Sequence, residues 1–308
     1  MPYFSDSPAF KNTTAKTFPD FGAAKHDWEE TSHKTTGTAR FIAQLPKWDT
    51  EKPFNLAFPL PRGQPKTNVI RKDHVISVAD VRGRESSFAL DVHGFAFASQ
   101  LPLLSEDTVE RDDMDTIAEK EIQRMQHFLK DMLGAKRVQA FDYTFREVKP
   151  AGDLYQWHEK RPPARNAHID QTPQAAMSRL KMYFGEEADE VARGRIQLIN
   201  LWRPLFGPLE ETPLAILDAR SLSDNDLMAQ DMVHTHYLGE NYVVKFNQNH
   251  RWYYWSKMQP NEGILIKNFD SEVDGRARAC AHVAFEDHNT PPGARLRKSV
   301  EVRFIVLY

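Results

Sequence analysis

The spacing of apolar positions changes along the chain. Met114, Ile117, Ile122, Met125, Phe128, Leu129 and Met132 recur at steps of three and four, which predicts one long helix from about residue 106 to 133. Acidic residues crowd its first turns, and Gly134 stands at the expected stop with Lys136 and Arg137 just beyond. Elsewhere the apolar runs are short and bounded by turn residues. They predict strands at 75–78, 88–91, 94–97, 138–148, 195–202, 242–246, 263–267, 278–285 and 299–308. Two further helical stretches are predicted near 173–192 and 221–231. The second half therefore reads as antiparallel sheet without the strand–helix alternation of a parallel sheet. The fold expected is mainly β with flanking helices.

Residues 1–66 break this pattern. Thr13-Thr14, Thr35-Thr36-Gly37-Thr38 and Pro59-Leu60-Pro61-Arg62-Gly63 interrupt any long period. Trp28, Phe41, Trp48, Phe54 and Phe58 are more aromatic surface than a solvated tail needs, so this stretch is read as an extended arm packed on the core. Residues 67–308 follow without a linker or repeat and are read as one domain with helical insertions.

Composition narrows the function classes. At 308 residues and 41% hydrophobic, the chain can bury a large core, which excludes a disordered protein. Forty basic against 43 acidic residues give a net charge of −3, with no electrostatic footprint for nucleic acid. No run of about 18 apolar residues predicts a membrane span, and the opening Met1-Pro2-Tyr3-Phe4-Ser5-Asp6 carries no secretory pattern. The lone Cys280, between Ala279 and Ala281, reads as a small buried residue and fits a reducing compartment, so a cytoplasmic protein is expected. The glycine fingerprints of dinucleotide and phosphate loops and the GxSxG elbow are absent. Oligomeric state is not readable from the chain.

The sharpest chemical signal is Asn166-Ala167-His168-Ile169-Asp170-Gln171-Thr172-Pro173. In a strand, His168 and Asp170 share a face about 7 Å apart and can converge on one ion. An imidazole and a carboxylate suit iron(II), manganese or zinc. The third ligand must come from elsewhere in the chain. His282, in the apolar run Ala279-Cys280-Ala281-His282-Val283-Ala284-Phe285, is the favoured candidate; His234, His236 and His250 stay open. Near the end, parity places Val300, Val302, Phe304 and Val306 on one strand face and Arg297, Ser299, Glu301 and Arg303 on the other. Arg297 and Ser299 can address one small anion together, the guanidinium gripping a carboxylate in a fork. Arg303 is the fallback anchor; six residues, about 20 Å, separate it from Arg297, so both cannot hold one carboxylate. Asn200, in a strand apolar on both faces, and Arg203 are candidate substrate or co-substrate contacts.

The order His-x-Asp, distant His, Arg-x-Ser resembles that of iron(II)- and 2-oxoglutarate-dependent oxygenases, whose core is a double-stranded β-helix, or jelly roll. More closely, the chain resembles the hydroxylase/desaturase family of fungal and bacterial secondary metabolism, which includes gibberellin desaturase and a component of cephamycin 7α-methoxylation. The resemblance runs from about residue 75 to 308. It is carried by Leu90-Asp91-Val92-His93-Gly94-Phe95, Phe141-Asp142-Tyr143-Thr144-Phe145-Arg146, His168-Ile169-Asp170-Gln171, Asn200-Leu201-Trp202-Arg203-Pro204-Leu205, Lys267-Asn268-Phe269-Asp270-Ser271 and Arg297-Lys298-Ser299-Val300-Glu301-Val302-Arg303. It implies a jelly-roll dioxygenase using Fe2+, 2-oxoglutarate and O2 on a small molecule. It implies His168, Asp170 and His282 as metal ligands, and Arg297 with Ser299 as the 2-oxoglutarate anchor. Two other readings are carried: a metal-dependent jelly-roll isomerase or hydrolase with a zinc site at His234, His236 and His282, and a non-catalytic partner of a biosynthetic enzyme.

Overall fold

The structure, a computed structural model, describes residues 33–308 except 62, 104–113 and 151–159; at 114–116 only the backbone is described. Fifteen strands carry it: β1 (Lys34–Ile42), β2 (Phe54–Leu56), β3 (Arg71–Asp80), β4 (Phe95–Ala98), β5 (Arg137–Glu147), β6 (His168–Ile169), β7 (Ile196–Pro204), β8 (Leu214–Leu217), β9 (Leu227–Val233), β10 (Leu238–Val244), β11 (Trp252–Tyr254), β12 (Gly263–Asp270), β13 (His282–Ala284), β14 (Glu286–Asp287) and β15 (Lys298–Leu307). They form a ten-stranded sheet in the order β14-β1-β3-β11-β8-β13-β6-β10-β9-β2 and a five-stranded sheet in the order β4-β12-β7-β15-β5.

The small sheet is built on alternation. Val300, Val302, Phe304 and Val306 of β15 and Ile199 and Leu201 of β7 pack under Ile117, Met125 and Leu129 of the helix Met114–Leu133. Burying an apolar side chain of that size stabilises by about 1.5–3 kcal/mol, so this helix seals one face of the sheet. Toward one end a second helix, Pro173–Phe184, packs Met177, Leu180 and Phe184 on Ile196, Leu198 and Ile305. The opposite face of the small sheet meets the large one. Trp202, Ile264 and Ile266 pack there against Ala79, Ile216 and Tyr253. Polar side chains on that same face, Ser299, Glu301 and Arg303, are buried between the sheets. A jelly roll whose inner faces carry charged residues has made room for chemistry there.

Within the stretch read as the arm, Lys34–Ile42 is a strand paired with β3 over nine residues; residues 1–32 lie outside the described residues. Two expectations need revision. The strand expected at 88–91 is absent: residues 88–89 belong to no helix or strand and lead from a 3-10 turn, Glu85–Ser87, into a single helical turn, Leu90–His93. The helix expected at 221–231 is a 3-10 turn, Asp224–Asp226, followed by β9. Ser223 and Asp226 form a capping box that resembles a helix start. The helix stops after one turn because all seven residues of β9 pair with β10. The first turns expected of the long helix, 106–113, lie outside the described residues.

Candidate metal centre and co-substrate pocket

His168 lies on β6, a two-residue strand held between β10 and β13. The register sets His168 directly opposite His282 of β13, and their rings lie 4.4 Å apart, centroid to centroid. Directly paired residues put their side chains on the same side of a sheet, which is how two histidines far apart in sequence meet. Just past the strand, the Asp170 backbone N–H donates to Asn268 Oδ1 at 3.0 Å. Thr172 then caps the helix Pro173–Phe184, its hydroxyl accepting from the Ala175 N–H, with Pro173 opening the helix. The change from strand to helix fixes the His-x-Asp pair at an element boundary. One donor atom from each of His168, Asp170 and His282 lies within 4.8 Å of the others, and among the described residues no other such group of three occurs.

The surrounding bonds prepare these donors. His168 Nδ1 is 2.7 Å from the Asn166 carbonyl, so it carries the proton and leaves the Nε2 lone pair directed at Asp170 Oδ1, 3.2 Å away. Asp170 Oδ2 accepts from Arg303 Nε at 2.6 Å and from Asn200 Nδ2 at 2.7 Å, so Oδ1 is left for an ion. Burial would raise the Asp170 carboxyl, but the charge of the Arg303 guanidinium overrides it and holds it well below the usual range. Burial pushes His282 down to about 4, so it is a neutral imidazole at pH 7. Its Nδ1 is buried without a hydrogen-bond partner among the described residues. A neutral, unsatisfied imidazole beside an ionised carboxylate is a donor set suited to a divalent metal.

Behind the histidines, a small inner pocket is lined by His168, His282, Trp202, Arg146, Glu301 and Arg297. Arg297 is 1% exposed and lies over the Trp202 ring at 4.9 Å. Its Nε donates to Ser299 Oγ at 3.1 Å and its Nη1 to the Thr212 carbonyl at 2.7 Å. Its guanidinium forms no salt bridge among the described residues. Burial, then the charge of Arg146, pushes it down to about 9. A buried cation without a counter-ion is costly unless an anion joins it. Beside the His168–Asp170–His282 group, a wider cleft of about 500 Å³ opens toward solvent, lined in part by His168, Asp170 and Arg146.

The other candidate residues sort by strand parity. Asn200 faces the site, bridging Asp170 and Glu301 Oε1 at 2.8 Å. Arg203 does not contact the site. Three residues along from Asn200 it points to the other face, where it pairs with buried Glu121 of the long helix and donates to the carbonyls of Pro102 and Pro260. Arg303 is not a free anchor either: its donors are taken by Asp170, Asp142, Thr144 and Glu301. His234 stacks on Tyr237 at 4.3 Å, His250 lies 3.3 Å from Asp226, and neither they nor His236 join the His168–Asp170–His282 group. Glu301 and Thr212 were not singled out in the sequence as site residues. Parity had placed Glu301 on the site face, but nothing local showed that the face is buried.

The family described as oxidoreductase/YMDC permease-like domain matches residues 41–307. The Fe(II)/2-oxoglutarate-dependent dioxygenase nvfI of Aspergillus novofumigatus is 31% identical, covering 79% of this chain and 87% of its own. The hydroxylase/desaturase efuI of Hormonema carpetanum is 30% identical, covering 76% and 83%. Among solved structures, the iron and alpha-ketoglutarate-dependent endoperoxidase NvfI superposes with a TM-score of 0.78 at 27% identity, covering 89% of this chain and 98% of that one.

Proposed function

Since the chain belongs to the oxidoreductase/YMDC permease-like family and to the Fe(II)/2-oxoglutarate-dependent hydroxylase/desaturases of fungal secondary metabolism, dioxygenases that use Fe2+, 2-oxoglutarate and O2, we propose that His168, Asp170 and His282 hold the iron and that Arg297 with Ser299 holds the far carboxylate of 2-oxoglutarate. The observation that carries this is the convergence of the three donors on one end of an inner pocket whose other wall holds an unpaired buried arginine. When bound, ferrous iron with O2 couples the decarboxylation of 2-oxoglutarate, to succinate and CO2, to oxidation of a substrate C–H bond.

The protein's part is placement. The Asn166 carbonyl fixes the His168 tautomer, while Arg303 and Asn200 turn Asp170 so that one oxygen faces the metal. Ser299 and the Thr212 carbonyl aim the Arg297 fork into the pocket, and Trp202 supplies the flat apolar wall beside it. The wider cleft would present a small-molecule substrate at the open side of the metal. We place the enzyme in the cytoplasm, acting without nucleic acid or membrane; among the described residues no helix is long and apolar enough to cross a bilayer.

The test is a calorimetric titration under anaerobic conditions, first with Fe(II) and then with 2-oxoglutarate, repeated on Arg297→Leu. Wild type should bind both, and form succinate on admission of air. The variant should keep its iron affinity and bind 2-oxoglutarate about tenfold or more weakly, the value of a charge-assisted bond. Zinc retained through purification with no oxygen uptake would instead favour the hydrolase or isomerase reading.

A further inference from the structure

The wide cleft has its own charge pattern, separate from the metal donors. Its carboxylates are already engaged. Asp170 and Asp142 both accept from Arg303, and Glu240 accepts from the Thr172 hydroxyl at 2.6 Å and forms a salt bridge with Lys52. Of the other lining guanidiniums, Arg146, Arg161 and Arg179 form no salt bridge among the described residues; Arg146 also lines the inner pocket, which leaves Arg161 and Arg179. Arg179 is nonetheless held in place, its guanidinium 5.2 Å from the rings of both Phe141 and Tyr237. Both border the cleft that contains His168 and Asp170. His234, on the same wall, is pushed down by burial and then by the charges of Arg161 and Arg179, so the fields of the two cations converge there.

The lining mixes polar residues, Gln171, Ser178 and Asn241 among them, with apolar ones, two of which are exposed. Met182 is 57% and Leu238 65% exposed at the rim. A charged pair of forks beside uncovered apolar side chains matches a ligand with a greasy body and an anionic end. A cleft of about 500 Å³ lies within the range that holds a drug-sized molecule.

We propose that the substrate of this enzyme is an apolar small molecule bearing a carboxylate, gripped by Arg161 and Arg179 while its apolar body rests on Met182 and Leu238. This rests on the oxygenase reading, since it takes the cleft beside His168 and Asp170 as the substrate site. Arg146 is left out of the grip because it also lines the inner pocket and so sees the co-substrate.

The probes are 1-pyrenebutyric acid and its uncharged methyl ester, followed by fluorescence anisotropy on protein loaded with Mn(II) and saturating 2-oxoglutarate. The acid should bind at least about tenfold more tightly than the ester. In Arg161→Gln/Arg179→Gln that preference should shrink to about twofold or less, with 2-oxoglutarate affinity unchanged. Equal binding of acid and ester by wild type, or a preference that survives in the double variant, overturns the proposal. So does displacement of the acid when 2-oxoglutarate is added to Mn(II)-loaded protein that lacks it, which would assign the arginines to the co-substrate. Should the double variant fail to fold, wild type alone decides: an electrostatic preference collapses at high salt, and one that persists contradicts the grip. If Mn(II) and 2-oxoglutarate do not bind at all, the metal reading fails, and the acid–ester comparison on the metal-free protein still judges the cleft by itself.

Discussion

Two clusters of buried charge stand between the elements of this protein, and they are finished differently. Around Lys267 every valence is used: its ammonium donates to Asp91 at 2.7 Å, Asp270 at 2.8 Å and the Ala277 carbonyl at 2.9 Å. Asp270 in turn accepts from Arg195 and Gln197. Around His282 matching is incomplete. Among the described residues its Nδ1 has no hydrogen-bond partner, Asp170 keeps one oxygen toward the histidines, and the Arg297 guanidinium forms no salt bridge. A saturated network stabilises a fold, whereas an unsaturated one of equal burial costs free energy unless a ligand completes it. Burial and charge alone therefore do not mark a site; the unmet valences do.

The largest effect expected on the unsaturated side is from His168→Ala or Asp170→Ala. Either should abolish stoichiometric iron binding and cut succinate formation by about a thousandfold or more, the consequence of losing several kcal/mol of metal-derived stabilisation. Circular dichroism should show a native fold. On the saturated side, Lys267→Met removes one partner from Asp270, whose side chain is fully buried. Urea unfolding should show a loss of about 3–5 kcal/mol, with turnover of the remaining folded protein unchanged. Were the same substitution to leave stability intact and eliminate iron binding, the distinction between the two clusters would fail.

Acid sharpens the comparison next. His282 in the folded, chelator-treated protein is held to about 4, below its ordinary 6.5. The unfolded chain therefore binds the extra proton first, and stability should fall as pH drops from about 6.5 to about 4, by at most about 3 kcal/mol. His282→Asn should flatten that limb in pH-dependent urea midpoints; an unchanged slope would mean that His282 is not held neutral. The smallest effect expected is from Glu301→Gln, which keeps the shape but weakens the partner that steadies Arg303 at 2.9 Å. Iron affinity should fall about tenfold, as for other groups that orient metal ligands, with the melting temperature little altered.

Much of this site can be read in the chain, and the residues that cannot share one cause. The nearness of His168 and Asp170, two positions apart, and the face shared by Arg297, Ser299, Glu301 and Arg303 are local properties, the second following from strand parity alone. Parity also separates Asn200 from Arg203, three positions apart, and applying it there removes Arg203 from the site. The meeting of His168 with His282 is different. It depends on a two-residue strand pairing with one far along the chain, and register between distant strands is set by the whole sheet. The same holds for Arg303. In the sequence it resembles a spare anchor, and only the pairing of β15 beside β7 and β5 shows that Asn200 and Asp142 lie opposite it and that its charge is already committed.

The most direct test of the central claim is a crystal structure of the complex grown without oxygen from protein, Fe(II) and 2-oxoglutarate. The account predicts one metal within about 2.0–2.3 Å of a nitrogen of His168, an oxygen of Asp170 and a nitrogen of His282, with the far carboxylate of 2-oxoglutarate in the fork of Arg297. A metal bound without His282, or a co-substrate whose carboxylate lies away from Arg297, would contradict it.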